Sequence, residues 1–480
     1  MDSPASELGE RRKAGIMAAC CLCALITGMD LTIANLAIPS IRSGLAATAA
    51  HTQWVIAIYA LVVASLQLLG GAAGDRFGRR HVLQIGLAIF MLGCLLCSLA
   101  PTIDVLIAAR ALQAVGASMM NPVALAIIAQ VFVAPAERAR AIGIWGAVFG
   151  ASLALGPVVG GVLIGLFGWR SVFWINLPVC ALAIALCAAV VPDSRSATIR
   201  GLDPVGQVLA AGSLFGLVFV LIESPGRGWT HPWVVVVAAV AALAFVGFLR
   251  HESRHADPFI DLRFFRSIPF AAAALTALFV FIVWGAFLFM MSIYLQGWRG
   301  YPAAHAGLLL LQVGIAVLVF SPISGRLVGW VGSRPSLMTS GLMIAVMSAM
   351  LVFLTPMAPR WLLMSIFVAF GITFGLVTVP INYAAVSGMP QDRAGAAAGI
   401  TSTSKQIGIS VGVALSGVLA AGALSPPMGD FSESADPLWF FTFALGLAIA
   451  ALGIVSTSPR ANRSAERLLP LIASAQQPRG

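Results

Sequence analysis

The chain has 480 residues, of which 60% are hydrophobic and 10% are charged. Soluble domains carry about 25% charged residues, so this composition excludes a water-soluble globule and indicates a protein that crosses the membrane many times. The formal net charge is +10, but the basic residues are spread singly over short loops, which fits membrane topology better than a DNA-binding face. We therefore expect a lipid bilayer and no nucleic acid as partner.

Apolar runs alternate with short breaks that contain charges, glycine or proline, and they predict fourteen membrane-spanning helices. Each run is close to the length of about 17–25 residues that crosses a bilayer. The first run is long and lacks an A-x-A cleavage site, so no cleavable signal peptide is expected. In chain order the predicted spans are 14–38, 53–73, 81–100, 103–127, 140–166, 171–191, 205–222, 232–249, 270–295, 304–325, 336–355, 361–386, 396–423 and 438–457.

The basic residues predict the orientation of these spans. With the N-terminus in the cytoplasm, 21 of the 28 lysines and arginines lie in inner segments and five in outer ones, as the positive-inside rule requires. Both termini are then cytoplasmic, and the expected location is the inner (cytoplasmic) membrane. Two similar inner loops, Gly71–Arg80 and Gly325–Arg334, indicate an internal repeat, which is typical of secondary transporters. The predicted divisions are an N-terminus 1–13, a six-helix bundle 14–191, an inserted hairpin 205–249, a second six-helix bundle 270–457 and a tail 458–480.

Two opposite charges lie inside predicted spans at the same depth. Asp30 is nine residues before Pro39, at the outer end of the first span, and Arg110 is nine residues after Pro101, at the outer end of the fourth. At about 1.5 Å per residue both are about 13 Å deep, where an ionisable group costs roughly 2.5–3.5 kcal/mol. We expect both in one internal cavity, coupled directly or through water; the alternative is a static ion pair that holds helices together. Gln113 faces the same way and either bonds Arg110 or substrate or packs between helices.

The inner loop after the second span combines an acid with arginines and glycines. We expect Asp75 to precede the third span, where a helix N-terminus favours a carboxylate, while glycine allows a tight turn. An ion-pair latch on the cytoplasmic side is the functional interpretation, and a topology signal alone is the alternative. The loop residues expected to act together are Gly71, Asp75, Arg76, Gly78, Arg79 and Arg80.

The fifth span contains Gly156, Pro157, Gly160 and Gly161. Glycines four residues apart allow close helix approach, and proline removes a backbone hydrogen bond and kinks the helix. This pattern predicts a hinge or a helix interface rather than a binding site.

Weaker candidates lie elsewhere in the chain. Glu223 is either a second proton or cation site or a solvated helix end, Asp104 lies near the outer end of the fourth span, and Lys405 balances the cavity or an anionic helix end. The six histidines lie at or near loops without metal-ligand spacing, so no metal site is expected. The sequence contains no Gly-x-x-x-x-Gly-Lys-Ser/Thr phosphate-binding loop, so ATP drive from this chain alone is not expected. The aromatic residues considered as cavity lining are Trp54, Tyr59, Phe279, Trp284 and Phe287.

Together these motifs resemble the major facilitator superfamily, specifically its fourteen-span drug–proton antiporters. The segment 29–39 resembles the first-helix signature, which includes Asp30 and Asn35, and 71–80 resembles the loop motif. The segment 110–118 resembles the fourth-helix motif with Ala114 in place of a glycine. The segment 156–161 resembles the antiporter motif of the fifth helix, with Ser152 where its first glycine is expected.

This resemblance implies an all-α integral membrane protein with the major facilitator fold, built from two six-helix bundles and an inserted two-helix hairpin. It also implies proton-coupled export by alternating access, in which Arg110 is the proton-coupling base and Asp30 a protonation or cation site. Asn35, Gln113 and Glu223 complete the candidate set for protons or substrate.

The expected function is efflux of amphipathic, cationic compounds such as antibiotics, dyes or quaternary ammonium salts in exchange for protons. The alternative is a dedicated exporter of a single self-made metabolite or antibiotic. A membrane-embedded enzyme or sensor is disfavoured because the sequence shows no soluble domain and no clustered catalytic His, Cys or Ser set. Uptake by symport is the remaining transport alternative, and the motif of the fifth span argues against it only by analogy. The expected partners are a small-molecule substrate and protons; no cofactor is expected, and the protein is expected to function as a monomer.

Overall fold

The computed structural model describes residues 9–195, 203–255, 260–386, 394–424 and 431–461, together with residues 463, 464 and 467. Within these residues the secondary structure is helical, so the expected all-α fold is confirmed. The α-helices are α1 Glu10–Gly44, α2 Ala49–Phe77, α3 Arg79–Leu99, α4 Ile103–Val131, α5 Pro135–Phe167, α6 Ser171–Trp174, α7 Asn176–Val190, α8 Pro204–Arg227, α9 Pro232–Arg254, α10 Ile268–Ile293, α11 Ala303–Val331, α12 Ser333–Val352, α13 Arg360–Val386, α14 Ala394–Leu419 and α15 Phe431–Ser456.

Within the described residues, thirteen helical segments are long and apolar enough to cross a membrane, and α6 and α7 together form one of them. The remaining predicted span, 396–423, corresponds to α14, which has 26 residues and is about 39 Å long. It differs from the thirteen other segments in its polar residues, which include Lys405 and Gln406, and not in its length. The chain is therefore a multi-pass membrane protein.

Two predicted helix ends are wrong. Pro39 does not end the first span, because α1 continues to Gly44 with the proline inside it. Asp75 does not cap the third span, because α2 continues to Phe77 and places Asp75 in its last turn, four residues before α3 begins. The break comes instead at Gly78, whose φ of +106° is a conformation that glycine adopts without steric cost.

One compact unit contains residues 1–202 and 295–314. In it α1 packs against α5 and α7, and α4 packs against α2 and α3. The α3–α4 contact depends on glycine, since a Cβ at Gly93 would lie 2.5 Å from the Cα of Gln113. Gly116 likewise lies against the backbone of Phe90. The backbones approach closely because at each of these points one of the two helices has a glycine, with no side chain to separate them.

The second compact unit contains residues 203–294 and 315–480. In it α10 packs against α13, α14 and α15, and α12 packs against α13 and α15. The hairpin of α8 and α9 is part of this unit, and α8 contacts α14. Large apolar side chains on α9 are exposed, and a bilayer rather than water suits such a surface. Examples are Trp233, Val240, Leu243 and Phe245.

Candidate functional site

The two charges predicted at equal depth form a direct ion pair in the first unit. Asp30 lies on α1 and Arg110 on α4, and the Nη1 atom of Arg110 donates to both carboxylate oxygens, at 3.0 and 2.8 Å. Both helices are long enough to carry these side chains deep into the unit. Asp30 is 0% and Arg110 2% exposed. In this conformation the pair is therefore enclosed by protein and coupled directly, without an intervening water.

Gln113 completes a closed triangle with the ion pair. Its Oε1 accepts from Arg110 Nη1 at 2.6 Å, and its Nε2 donates to Asp30 Oδ1 at 3.0 Å. The Nε atom of Arg110 donates to the backbone carbonyl of Val55 on α2 at 3.2 Å. Since buried charges are tolerated only when they are paired and hydrogen-bonded, this network offsets the cost of placing Asp30 and Arg110 inside the membrane.

Aromatic rings and a thiol surround the network. The guanidinium carbon of Arg110 lies 4.4 Å from the centre of the Tyr59 ring and 5.9 Å from that of Phe173. Gln113 Nε2 also lies 3.1 Å from the sulfur of Cys94. Tyr59 was among the aromatic candidates, whereas no pattern in the sequence pointed to Phe173 or to the Val55 carbonyl. Cations over ring faces are stabilised electrostatically, most strongly when water is excluded, so these rings favour the charged form of Arg110.

Asn35 lies on α1 but bonds elsewhere. Its Nδ2 donates to the carbonyl of Leu31 at 3.0 Å, and its buried Oδ1 has no hydrogen-bond partner among the described residues. One residue further, the carbonyl of Leu36 accepts from Gln296 Nε2 at 2.9 Å. Asn35 therefore stands apart from the Asp30 triangle.

Glu223 and Lys405 belong to the second unit. Glu223 forms an ion pair with Arg227, one turn further along α8, at 2.7 Å. Lys405 donates to Asn382 Oδ1 at 3.1 Å and lies 5.9 Å from the centre of the Phe281 ring. Glu223 is thus placed in a salt bridge at the end of a helix, with a half-exposed arginine.

The inner loop residues join several helices of the first unit. Arg79 pairs with Asp75 at 2.8 Å and donates to Gln130 Oε1 on α4 at 2.9 Å. Arg80 donates to the carbonyl of Ala188 on α7 at 2.7 Å. Arg76 instead lies over the ring of its neighbour Phe77 at 5.6 Å. Gly71 and Gly74 face α4, where Pro122 and Val123 approach them.

The glycines of α5 lie against two neighbours. Gly156 and Gly160 contact Thr32 and Ile33 of α1. Gly161 faces the start of α11, where its Cβ would lie 2.6 Å from the carbonyl oxygen of Ala303, and the carbonyl of Pro157 abuts Gly307. This is the close packing that glycines four residues apart permit, which agrees with an interface rather than a binding site.

Ser152 occupies the position where the family motif has its first glycine. Its side chain is buried and donates to the carbonyl of Phe149 at 2.6 Å. The facing residue on α1 is Gly28, and a Cβ there would collide with Ser152 Oγ. The glycine that allows close approach is thus supplied by the opposite helix.

Known proteins resemble this chain in sequence and in fold. Residues 20–413 match the family model of the Major Facilitator Superfamily. The multidrug resistance protein Stp of Mycobacterium tuberculosis is 35% identical over 409 residues, which cover 85% of this chain and 76% of the relative. The tetracenomycin C resistance and export protein of Streptomyces glaucescens is 32% identical over 407 residues, which cover 85% and 76%. Among solved structures, the POT family transporter PepTSo superimposes with a TM-score of 0.67 at 15% identity, covering 96% of this chain and 99% of that one.

Proposed function

Because the chain belongs to the major facilitator superfamily, we propose that it is a proton-coupled efflux transporter that exports amphipathic, cationic compounds by alternating access. Efflux agrees with the resistance and export proteins among its relatives. The observation that carries proton coupling is the buried contact between Asp30 and Arg110, at 2.8 Å. An acid at this depth in a membrane is costly, and such residues commonly mark ion or proton pathways.

Protonation of Asp30 changes the energy of the whole triangle. The proton removes the negative charge and leaves Arg110 buried without a counter-ion. Loss of one partner from a buried ion pair costs about 3–5 kcal/mol. That cost favours a second conformation in which Arg110 gains water or a new partner. Proton binding at Asp30 therefore drives a rearrangement of α1 against α4.

A cationic substrate acts on the same carboxylate. When Asp30 is deprotonated, a bound cation supplies the positive charge that the carboxylate needs and competes with Arg110 for it. Proton and cation then exclude one another, because each neutralises the same group. This mutual exclusion is what exchange of a compound for a proton requires.

The decisive experiment uses purified protein in sealed vesicles with an imposed pH gradient. Ethidium movement and proton release are measured for the wild type, Asp30→Asn and Asp104→Asn. Asp104 is the matched control, since it is an exposed acid on the same helix as Arg110. Exchange in the wild type and the control but not in Asp30→Asn supports the proposal. Unchanged proton-coupled exchange in Asp30→Asn rejects it.

The breadth of substrates separates two versions of this function. One relative is named for multidrug resistance and another for a single antibiotic. We favour the multidrug version, and the alternative is a dedicated exporter of one self-made compound. Susceptibility testing of a pump-deficient host that expresses the chain, with and without an uncoupler, distinguishes them: protection against one compound alone supports the dedicated exporter.

The remaining parts of the proposal concern the surroundings of the protein. We place it in the cytoplasmic membrane with both termini in the cytoplasm, and expect a single chain to be functional. The proton gradient supplies the driving force, so transport uses no cofactor.

A further inference from the structure

The end of α9 carries a metal-ligand pattern that the sequence interpretation missed. Residues 251–255 read His-Glu-Ser-Arg-His, so His251 and His255 are four residues apart. His251 lies in the last turn of α9 and His255 directly follows the helix. The H-E-x-x-H spacing binds a single metal ion when it lies on a helix, and here too the two rings lie close together. The conclusion that no histidines show metal-ligand spacing was therefore wrong.

A third ligand comes from the residue that begins the hairpin. Asp203, at the N-terminal end of α8, has its carboxylate oxygens 2.9 and 3.0 Å from His251 Nε2. The rings of His251 and His255 have centroids 5.0 Å apart. One ligand atom from each of the three residues lies within 4.8 Å of the others. Zinc–ligand bonds of about 2.0–2.2 Å require the three ligand atoms to move closer together when the ion binds.

Glu252 gives an independent indication of a bound cation. Its side chain is 3% exposed, its Oε2 accepts from the backbone N–H of Ile260 at 3.1 Å, and its Oε1 has no partner among the described residues. A Cβ at Gly206 would lie 2.5 Å from both Glu252 Oε1 and Asp203 Oδ2. The two carboxylate oxygens are thus aimed at the same small space. Two buried carboxylates held together repel one another unless a cation or a shared proton lies between them.

We propose that Asp203, His251 and His255 bind one divalent transition metal ion, with Zn²⁺ as the best fit, and that the buried carboxylate of Glu252 lies beside it. Imidazole ligands favour zinc-class metals over Mg²⁺ or Ca²⁺, which prefer oxygen ligands alone. The ion joins the start of α8 to the end of α9, and Glu252 connects it to the segment that leads into α10. Its role is structural, because it joins two helix ends and because Glu252, the acid within the histidine pair, is bonded to the backbone N–H of Ile260.

The test measures metal binding and stability in the full-length protein. The protein is purified through a tag without histidine, stripped with a chelator and titrated with Zn²⁺ by calorimetry and by thermal unfolding. We compare the wild type with His255→Ala, because His255 is exposed and its loss leaves the packing intact. The matched control is His231→Asn, at the opposite end of α9, where asparagine replaces the ring that accepts from the N–H of Trp233.

The expected result is one Zn²⁺ per chain for the wild type and the control, with a higher melting temperature when Zn²⁺ is present. His255→Ala is expected to bind at least about tenfold more weakly, since even changes in outer-shell partners cost 10–100-fold in metal affinity. The proposal is overturned if the wild type does not bind Zn²⁺. It is equally overturned if His255→Ala binds Zn²⁺ as tightly as the control does. In that case a proton shared between the carboxylates of Asp203 and Glu252 would account for their proximity.

Discussion

Removal of the two buried charges, singly and together, tests what the ion pair does. In Asp30→Asn the guanidinium of Arg110 stays buried without its counter-ion. In Arg110→Gln the carboxylate of Asp30 stays buried without its counter-ion. Since the side chains are 0% and 2% exposed and 2.8 Å apart, each single change should lower the free energy of unfolding by about 3–5 kcal/mol. The double variant leaves two neutral amides that can hydrogen-bond to one another. Its loss of unfolding free energy should therefore be well below the sum of the losses in the two single variants.

The stability assay is unfolding in mixed detergent micelles, with the coupling energy taken from the double-mutant cycle. We expect a coupling energy of about 3 kcal/mol or more, because most of each single loss is the penalty of an unpaired charge. Proton-coupled transport in vesicles is measured on the same four proteins. We expect the double variant to regain much of its stability while proton exchange stays absent.

Two results would contradict this reasoning. Additive stability losses would mean that the charges do not interact in the folded protein. A double variant that both folds and exchanges ethidium for protons like the wild type would mean that the pair only holds α1 against α4, which is the static interpretation.

Glycine contacts give two further predictions. Gly93→Ala should lower the free energy of unfolding by about 1–3 kcal/mol, as overpacking does, because its Cβ meets the backbone of Gln113. The control Gly165→Ala, whose Cβ would meet open space, should be neutral or stabilising. Equal melting temperatures for the two variants would exclude tight α3–α4 packing at Gly93. Gly28→Ala should destabilise the protein and Ser152→Gly should rescue it, since the new Cβ collides with the serine oxygen. If melting temperatures show no rescue, the α1–α5 contact has another origin.

The central pair was predictable because charges within membrane spans are rare. Each span offers few polar candidates, so equal distances from the outer helix ends identified Asp30 and Arg110 as partners. Gln113 followed from helix periodicity, since it lies one turn from Arg110. The carbonyl of Val55 was not predictable, because every residue has one and its use depends on how α2 packs.

Helix ends were harder to predict than helix contents. Proline within the first span suggested an end at Pro39, yet α1 tolerates it and continues for five residues. Asp75 looked like an N-terminal residue of the third span, but the positive φ of Gly78 places the break after it. The position of a helix end depends on single residues, whereas the presence of a membrane-spanning helix depends on the whole apolar run.

The cluster at the base of the hairpin shows the opposite difficulty. The spacing of His251 and His255 is visible in the sequence, but the third ligand, Asp203, is 48 residues before His251. Only the antiparallel course of α8 and α9 brings the start of one helix beside the end of the other. Spacing within one helix can therefore suggest a metal site, while the fold has to supply the remaining ligands.

The ion pair also joins two glycine-packed pairs of helices, which leads to a last prediction. α1 is held against α5 through Gly156 and Gly160, and α3 against α4 through Gly93, whereas Asp30 and Arg110 connect α1 to α4. Protonation of Asp30 should therefore loosen the boundary between the two helix pairs and leave each pair intact.

Cys94 reports on this boundary, because its sulfur lies 3.1 Å from Gln113 Nε2 and is fully buried. In proteins that keep a single cysteine, Asp30→Asn, which mimics the protonated acid, should raise the rate at which an aqueous maleimide labels Cys94. Cys187, which is equally buried on α7 and whose sulfur faces the carbonyl of Arg80, is the control and should label at an unchanged rate. Equal labelling of Cys94 with and without the acid would mean that the charge of Asp30 does not keep this boundary closed.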